Sequence, residues 1–592
     1  MTLSLLKSTC CDEEDMRRIN DRKQQHLFDP WYFLSPKRRA MLDQQWPGFF
    51  RDHILDLLPV DKFALAFPSD QGRPTKELYT VLGALALQQF HNLTDKQVVE
   101  QLSFNIQWHY ALNISEESDQ AKYICEKTLW SMRQYASQLE IDVDVFDAVA
   151  DALADMFKVD TSRQRIDSVH IKSNMARLGR IGIFVRAINR FLANLKRHHR
   201  GLWDRIDKQL TQRYQGKSAK GCFADVKPSE SKKTLSEVAS DLYLLVTRFD
   251  GNQKISSMTT YKLLCRILSE QCEVHSDGTI ELKAPKQIPS DSLQNPSDPD
   301  ATYSGHKGQG YQVQVMETFS EHEDSDKDPT ELNLITHVDV EKACASDSQA
   351  LLPAIEATIE KDLAPDELQA DSLYGSDENC QQAKDYEVDV VSPTMGTEKQ
   401  DSLTLSDFEF RSDGHVSNCP AGHQPLLRKK KKTRFSQGFD KTICSRCPRL
   451  PDCPVKSGKG HYYLRYNEKT MRLVRRRQQE NTTAFKNRYR WRAGVEATMS
   501  QYDRLTGVKQ LRVRGFTAVR FAAVLKAAGV NLARAVAVRR ARKRANSSSD
   551  GQHLSLYTFI KLFKERLEQV FRLLTGICPF LSDERKPAIK AA

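Results

Sequence analysis

One acidic residue inside an apolar strand limits this chain more than any other feature. In Gln164-Arg-Ile166-Asp167-Ser-Val169-His170-Ile171, the apolar positions predict a mostly buried strand over 164–171. A lone carboxylate at such a place is costly unless it binds a cation or pairs with one. The fold must therefore bring a partner to Asp167, and Lys172 next door is the bland candidate. Two other acidic residues stand in comparable settings. Asp371 ends a short predicted strand, 368–371, just before Ser372-Leu-Tyr374-Gly375. Glu496 follows Tyr489-Arg-Trp-Arg492 at the start of a basic helical run. On spacing alone, Arg492 and Glu496 read as an ordinary i,i+4 helix pair, and Asp371 as a turn residue. Brought together, the three carboxylates would suit two hard Mg²⁺ ions, with Mn²⁺ able to substitute.

The chain has 592 residues and a net charge of +11, enough for several domains and a bias toward polyanions. No apolar run reaches the ~20 residues of a bilayer span. The amino terminus lacks the order of a signal peptide, so the expectation is a cytoplasmic protein without a membrane role. Thirteen cysteines, mostly scattered, are a poor disulfide framework for so long a chain.

From Pro47 to Asn113 helical spacing dominates, with Thr94-Asp95 as a helix start, and two more helices fill 120–160. Residues 175–275 read as long basic helices, and 284–301 as a Pro/Ser/Asp-rich linker. Two alternating segments, 310–317 and 333–340, predict a hairpin around an acidic loop. A helix over 346–361, the strand 368–371, a helix over 379–385 and a strand 388–391 follow.

Together the acidic segments resemble the DDE transposases of bacterial insertion sequences. Members with a tyrosine-arginine-glutamate-lysine signature space it as Tyr489, Arg492 and Glu496 are spaced here. The lysine slot holds Asp503, with Arg504 next to it and Lys509 further on. The stretch from Gly72-Arg73-Pro74 through Asn92-Leu-Thr94-Asp95 to Trp108-His-Tyr110 resembles the helical amino-terminal domain of the same proteins, whose implied task is to bind terminal inverted repeats. A helical scaffold that only packs on the core is the alternative.

The order of elements predicts a mixed α/β architecture. A ribonuclease H-like catalytic domain is assembled from 159–174, 301–415 and 480–545. It is interrupted by a helical insertion and linker (175–300) and a cysteine-rich basic insertion (416–479). A lead-in (1–45) and an all-helical domain (46–158) precede it, and a helix with a tail (546–592) ends the chain. The resemblance implies Asp167, Asp371 and Glu496 as catalytic metal ligands. It implies His170, Lys172, Asn174, Tyr374, Tyr489 and Arg492 as substrate-positioning groups, with His306 and Lys307 as weaker phosphate contacts. Its partners would be double-stranded DNA, both repeat and target, and a second copy in the DNA complex.

Cys444-Ser-Arg-Cys447 has the knuckle spacing of a zinc site, which Cys419 and Cys453 would complete, with His423 as the alternate ligand. Such a zinc would be structural. The alternative is four unligated cysteines in a compact loop. Arg428 to Lys432, Arg475 to Arg477, Arg512, Arg514, Arg520 and Arg539 to Arg544 predict a DNA channel. Tyr462, Tyr463, Tyr466, Tyr489 and Trp491 are interleaved among them for stacking. Two rival readings stay open: a nuclease of the same fold without strand transfer, and a zinc-containing DNA-binding protein from a decayed element.

Overall fold

The computed structural model describes residues 16–22, 29–215, 226–321, 329–396 and 402–551. The amino-terminal part is helical. Helix α1 (Leu78–Phe90) is buried on nearly every face, as its run of Leu, Val and Ala requires. Helix α2 (Asp95–Phe104) starts from a Thr94 capping box closed by Gln97. Helices α3 (Glu126–Gln138) and α4 (Ile141–Phe157) complete this layer.

Strand β1 (Arg163–Lys172) begins a six-stranded mixed sheet. Strand β2 (Gly308–Thr318) lies antiparallel to β1, with Asp167 opposite Val315. Strand β3 (Ile335–Lys342) lies antiparallel to β2, and Thr302–Ser304 pairs with the start of β2. On the other side of β1, β4 (Glu367–Gln369) and β5 (Asp389–Val391) run parallel to it. The hairpin expected from alternation is thus present. Asp371 lies two residues beyond β4, where the sequence predicted it would end the strand.

The insertion after β1 has its own core. Helices α5 (Arg180–His198), α6 (Ser231–Phe249) and α7 (Thr259–Gln271) bury Phe184, Phe191, Leu242 and Ile267 together. The segment expected as a linker is instead a fixed seam. Asp298 is buried there, accepting from the hydroxyls of Ser173 and Tyr311 at 2.6 Å each and from the Gly515 N–H at 3.0 Å.

Helix α8 (Leu351–Ile359) and α9 (Asp377–Asp385) flank β4 and β5. The cysteine-rich insertion contains a four-stranded sheet that the sequence reading missed. Its strands β6 (Leu427–Lys431), β7 (Arg434–Asp440), β8 (Lys456–Ser457) and β9 (His461–Asn467) are ordered β6-β7-β9-β8. Helix α10 (Glu468–Glu480) leads out of it, followed by α11 (Val495–Thr506) and α12 (Phe516–Gly551).

Contrary to the reading that no apolar run is long enough, one is: α12 could cross a membrane by length and composition alone. Yet 83% of its apolar stretch is buried within the protein. It runs between the amino-terminal helices and the sheet, and joins them in one core. That core includes Phe49, Leu85 and Phe157 from the helices, Val169 and Val313 from the sheet, and Val524 and Val530 from α12. Asn531 is fully buried and exchanges two 2.8 Å hydrogen bonds with the backbone of Ile335. The helix predicted over 554–574 lies outside the described residues.

Candidate active site

Asp167 projects from β1 on the same face as Arg165, toward the turn Arg490–Gly494 that precedes α11. Its Oδ2 accepts from Arg492 Nη2 at 2.6 Å, and its Oδ1 from the Ser168 N–H at 2.8 Å. Burial pushes the Asp167 carboxyl up to about 6; Arg492 opposes this, while the charges of Asp371 and Glu496 add to it. The three acidic residues are therefore electrostatic neighbours, although the chain separates them widely. Asp371 comes from the loop after β4, whose parallel register with β1 sets Gln369 beside Arg165. Glu496 is in the first turn of α11, with its side chain 69% exposed and 3.8 Å from Arg492 Nη1.

A buried ion network holds this turn against the strand. Glu317 on β2 is fully buried between Arg165 and Arg534, at 2.8 and 2.9 Å, and also accepts from the Thr498 hydroxyl at 2.6 Å. Full burial would push its carboxyl up; Arg534 and Arg165 outweigh that and hold it below the usual range. Arg165 also donates to the Trp491 carbonyl at 2.7 Å. A Cβ at Gly494 would collide with the Arg165 guanidinium, so the close approach requires glycine there. None of Arg165, Glu317, Thr498 and Arg534 stood out in the sequence. An Arg and a Glu on predicted buried strands were the available signal.

The loop of Asp371 is equally pinned. Asp371 Oδ1 accepts from the Leu373 N–H at 2.7 Å, and its carbonyl accepts from the Ser392 hydroxyl at 2.7 Å. Tyr374 is completely buried, and its hydroxyl donates to Gln314 at 2.6 Å. It supports the loop from below and is not open to a substrate. Tyr489 is half-buried and stacks on Phe485, with ring centroids 5.6 Å apart. Burial raises its phenol, against Arg492, and Asp371 and Asp167 raise it further, which places it at the same acidic centre.

The other predicted groups lie elsewhere. His170 has the opposite parity to Asp167 on β1, so it shares a face with Ser168 on the other side of the sheet. Burial lowers its imidazole, with Lys307 and Lys172 acting in the same direction. Lys307 donates to the Ser168 hydroxyl at 3.0 Å, while His306 is exposed. Lys172 ends the strand, about 16 Å along it from Asp167 at the usual rise. Its N–H donates to the Lys509 carbonyl at 2.9 Å. Asn174 is tied to Arg512 and Arg514 at 3.0 and 2.5 Å. Asp503, in the slot where lysine was expected, accepts from the Lys509 N–H at 3.1 Å and shapes the turn after α11.

Much of the basic sequence is engaged inside the protein. Arg512 bonds to Asn92, Arg520 to Glu140, and Arg542 to the Thr330 carbonyl. Arg476 and Arg477 point at carbonyls and a hydroxyl near Asp371. Tyr466 is buried, stacked on Phe435 and bonded to the Gly414 carbonyl at 2.8 Å, so it offers no face to a base. The lysines of β6 are exposed.

Cys419, Cys444, Cys447 and Cys453 line one small cavity with His423, and all four are unbridged. Burial pushes the Cys444 thiol up to about 11, and the three neighbouring sulfurs add to this. Among the described residues, however, no group of three or more His, Cys, Asp or Glu side chains is drawn close enough to hold a metal ion. At the acidic centre the reason is plain: Arg492 takes one Asp167 oxygen and Glu496 turns to solvent. The donor set there, three carboxylates with one part-buried and raised, still fits a hard divalent cation.

Two family descriptions match this sequence. Residues 418–536, which include the cysteine module, Arg492 and Glu496, match the family described as "Transposase DDE domain". Residues 40–135, the amino-terminal helices, match "Transposase domain (DUF772)". Asp167 and Asp371 lie outside both matches. No curated protein matches the chain. Among solved structures, a cryo-EM structure of the piggyBac transposase synaptic complex with hairpin DNA is 9% identical. The alignment covers 95% of this chain and 84% of that one, at a TM-score of 0.29, and that likeness carries no weight here. Two transposase families are thus matched in separate parts of one sequence, which is consistent with a DDE transposase of an insertion element.

Proposed function

We propose that the protein cuts DNA at the terminal inverted repeats of its element and joins the freed 3′ ends to target DNA. Asp167, Asp371 and Glu496 form the reacting centre. The observation that carries this reading is that Asp167, on the central strand, feels the charges of Asp371, from the loop after its parallel neighbour, and of Glu496, from a helix packed across them. The sheet, with β3, β2 and β1 antiparallel, β4 and β5 parallel to β1, and Thr302–Ser304 paired to the start of β2, supports a ribonuclease H-like catalytic unit.

Asp167, Asp371 and Glu496 would hold two Mg²⁺ or Mn²⁺ ions. When bound, these would acidify the attacking hydroxyl and neutralise charge on the departing oxygen. In the first step a water oxygen bonds to the phosphorus at the element's end. The bond from phosphorus to the element's 3′ oxygen breaks, leaving a 3′-hydroxyl on the element and a 5′-phosphate on the flank. In the second step that hydroxyl attacks a target phosphorus and releases a target 3′-hydroxyl. The first step turns a phosphodiester into a monoester and an alcohol, the second exchanges one phosphodiester for another, and neither needs an energy source.

Around these steps the chain's own groups hold positions. Arg492 keeps Asp167 aimed and charged, and the Arg165–Glu317–Arg534 network fixes the turn that carries Arg492. Tyr489, beside the carboxylates, is placed to orient a phosphate or sugar. The amino-terminal helices would bind the repeats. The cysteine module, with a structural zinc on its four thiolates, would lay the exposed β6 lysines on DNA. Joining two ends in one event requires two copies.

The test is cleavage and joining of a labelled duplex carrying the element's own terminal repeat. Wild type would be compared in Mg²⁺ and in EDTA with Asp371→Ala and Glu496→Ala. Nicking at the repeat boundary that both substitutions abolish supports the centre. Cleavage surviving either one removes that residue from it. Nicking without joining points to a nuclease, and binding without nicking to a protein that only holds DNA.

A further inference from the structure

The arginines of α10 were expected on DNA, and one of them does something else. Helix α10 is rooted in the cysteine module. It grows directly from β9, its Glu468 N–H donates to the Thr433 carbonyl at 2.9 Å, and Met471 is part of the module's core with Phe435 and Leu464. Arg472 and Arg476, one turn apart on one face, reach away from that core to the loop that follows β4. Arg472 makes a two-pronged contact with the buried Asp377, at 3.0 and 2.6 Å. Arg476 donates to the Gly375 carbonyl and to the Ser392 carbonyl, at 2.9 Å each.

Those two carbonyls flank Asp371. Ser392 also donates its hydroxyl to the Asp371 carbonyl, and a Cβ on Gly375 would collide with that same hydroxyl. Arg476, Ser392 and Gly375 therefore form one clamp whose product is the position of the Asp371 backbone. A planar guanidinium with a fixed fork of donors suits two carbonyls at once; an ammonium, a single point charge, satisfies such a pair poorly.

We infer that Arg476 is a positioning residue for Asp371, and that α10 is the strut through which the cysteine module sets the geometry of the acidic centre. The inference rests on Asp371 being a metal ligand of that centre. Its reach is specific: loss of Arg476 displaces Asp371 and so weakens binding of a divalent ion, a property that lost phosphate contact would leave alone.

The experiment uses the full chain and Mn²⁺ alone, followed by electron paramagnetic resonance, with nicking of a supercoiled plasmid as a second readout. Variants are Arg476→Gln, Arg476→Lys, Asp371→Asn and Lys469→Gln, the last an exposed residue of the same helix. Arg476→Gln should weaken Mn²⁺ binding about tenfold, the lower end for groups that orient metal ligands. It should lower kcat for nicking while KM for the plasmid stays constant. Arg476→Lys should fall between it and wild type, and it carries the test should the glutamine variant not fold. Lys469→Gln should bind Mn²⁺ as wild type does. If Asp371→Asn loses Mn²⁺ while both Arg476 variants bind it normally, the positioning role is wrong and the acidic centre stands. If Asp371→Asn also binds Mn²⁺ normally, the assignment of Asp371 fails and the inference with it.

Discussion

Arg492 Nη2 lies 2.6 Å from Asp167 Oδ2, so a fixed cation already occupies the part-buried carboxylate of the acidic centre. The same guanidinium is 3.8 Å from Glu496. A divalent ion approaching these oxygens meets a positive charge next to its ligands. Arg492→Gln should therefore bind Mn²⁺ more tightly, by about tenfold or more, since a unit charge at ~4 Å is worth roughly 1 kcal/mol in bulk water and ~4 kcal/mol near a protein surface. A Mn²⁺ titration read by magnetic resonance decides it. Equal affinity in the two proteins would mean that the guanidinium moves aside without cost.

Asp167 supplies a pH dependence. Its folded carboxyl is raised to about 6, chiefly by burial, above the unfolded value of 3.8. Between those values the folded state binds more protons, so this group's contribution to stability falls as pH rises through about 4 to 6. Ion binding needs the charged form and should strengthen through the same window. The Mn²⁺ affinity of wild type should climb from pH 5 to 7, and that of Asp167→Asn should be weak and flat. A flat wild-type profile would contradict the raised carboxyl.

Glu317 compensates the buried Arg165 and the part-buried Arg534, and removing its charge leaves neither with an ion-pair partner among the described residues. Glu317→Gln should destabilise the protein by ~3–5 kcal/mol, the usual cost of breaking a buried ion pair. Urea denaturation measures this directly. A loss under ~1 kcal/mol would show that water reaches Arg165 and Arg534.

Lys526 is 2% exposed and donates to the Thr506 carbonyl at 2.6 Å and to Asn92 at 3.0 Å. Burial pushes its ammonium down to about 7, and Arg512 adds to this, from an ordinary value of 10.5. Here the unfolded chain binds more protons between about 7 and 10.5, so stability should rise with pH across that range and be constant below it for this group. Melting temperature followed from pH 7 to 10 should climb in wild type and lose that component in Lys526→Met. Parallel profiles would mean that Lys526 stays charged when buried.

The four cysteines should carry about one zinc per chain when the protein is purified without chelator, and Cys447→Ser should lose it. Atomic absorption settles this. Four freely titrating thiols and no metal in wild type would leave the module an unligated sheet.

The sequence was most readable where a single residue had to answer to its neighbours. Asp167 among Ile166, Val169 and Ile171 announced a buried strand that needed a partner, and the partner is Arg492. Thr94 with Gln97 announced a helix start, and it caps one. What stayed hidden depends on contacts between distant segments. Periodicity assigned His170 and Asp167 to one strand but did not separate the faces they serve. A run of arginines is the same run whether it meets phosphate or a carbonyl, so Arg476, Arg512 and Arg520 read as surface until their partners were seen. The module's sheet was missed because Arg428 to Lys432 is charged throughout, although a strand with exposed faces needs no apolar alternation.

The central strand also fixes when the molecule becomes complete during synthesis. Residues 163–172 leave the ribosome early, yet their strand partners lie at 308–318 and 367–369, and the helix that closes the core begins at Phe516. Pairings so remote in sequence form late and slowly. A nascent chain holds Asp167 without Asp371 for about a third of its length, and both without Glu496 for about a further fifth. A chain interrupted anywhere before the final helices therefore carries no assembled acidic centre.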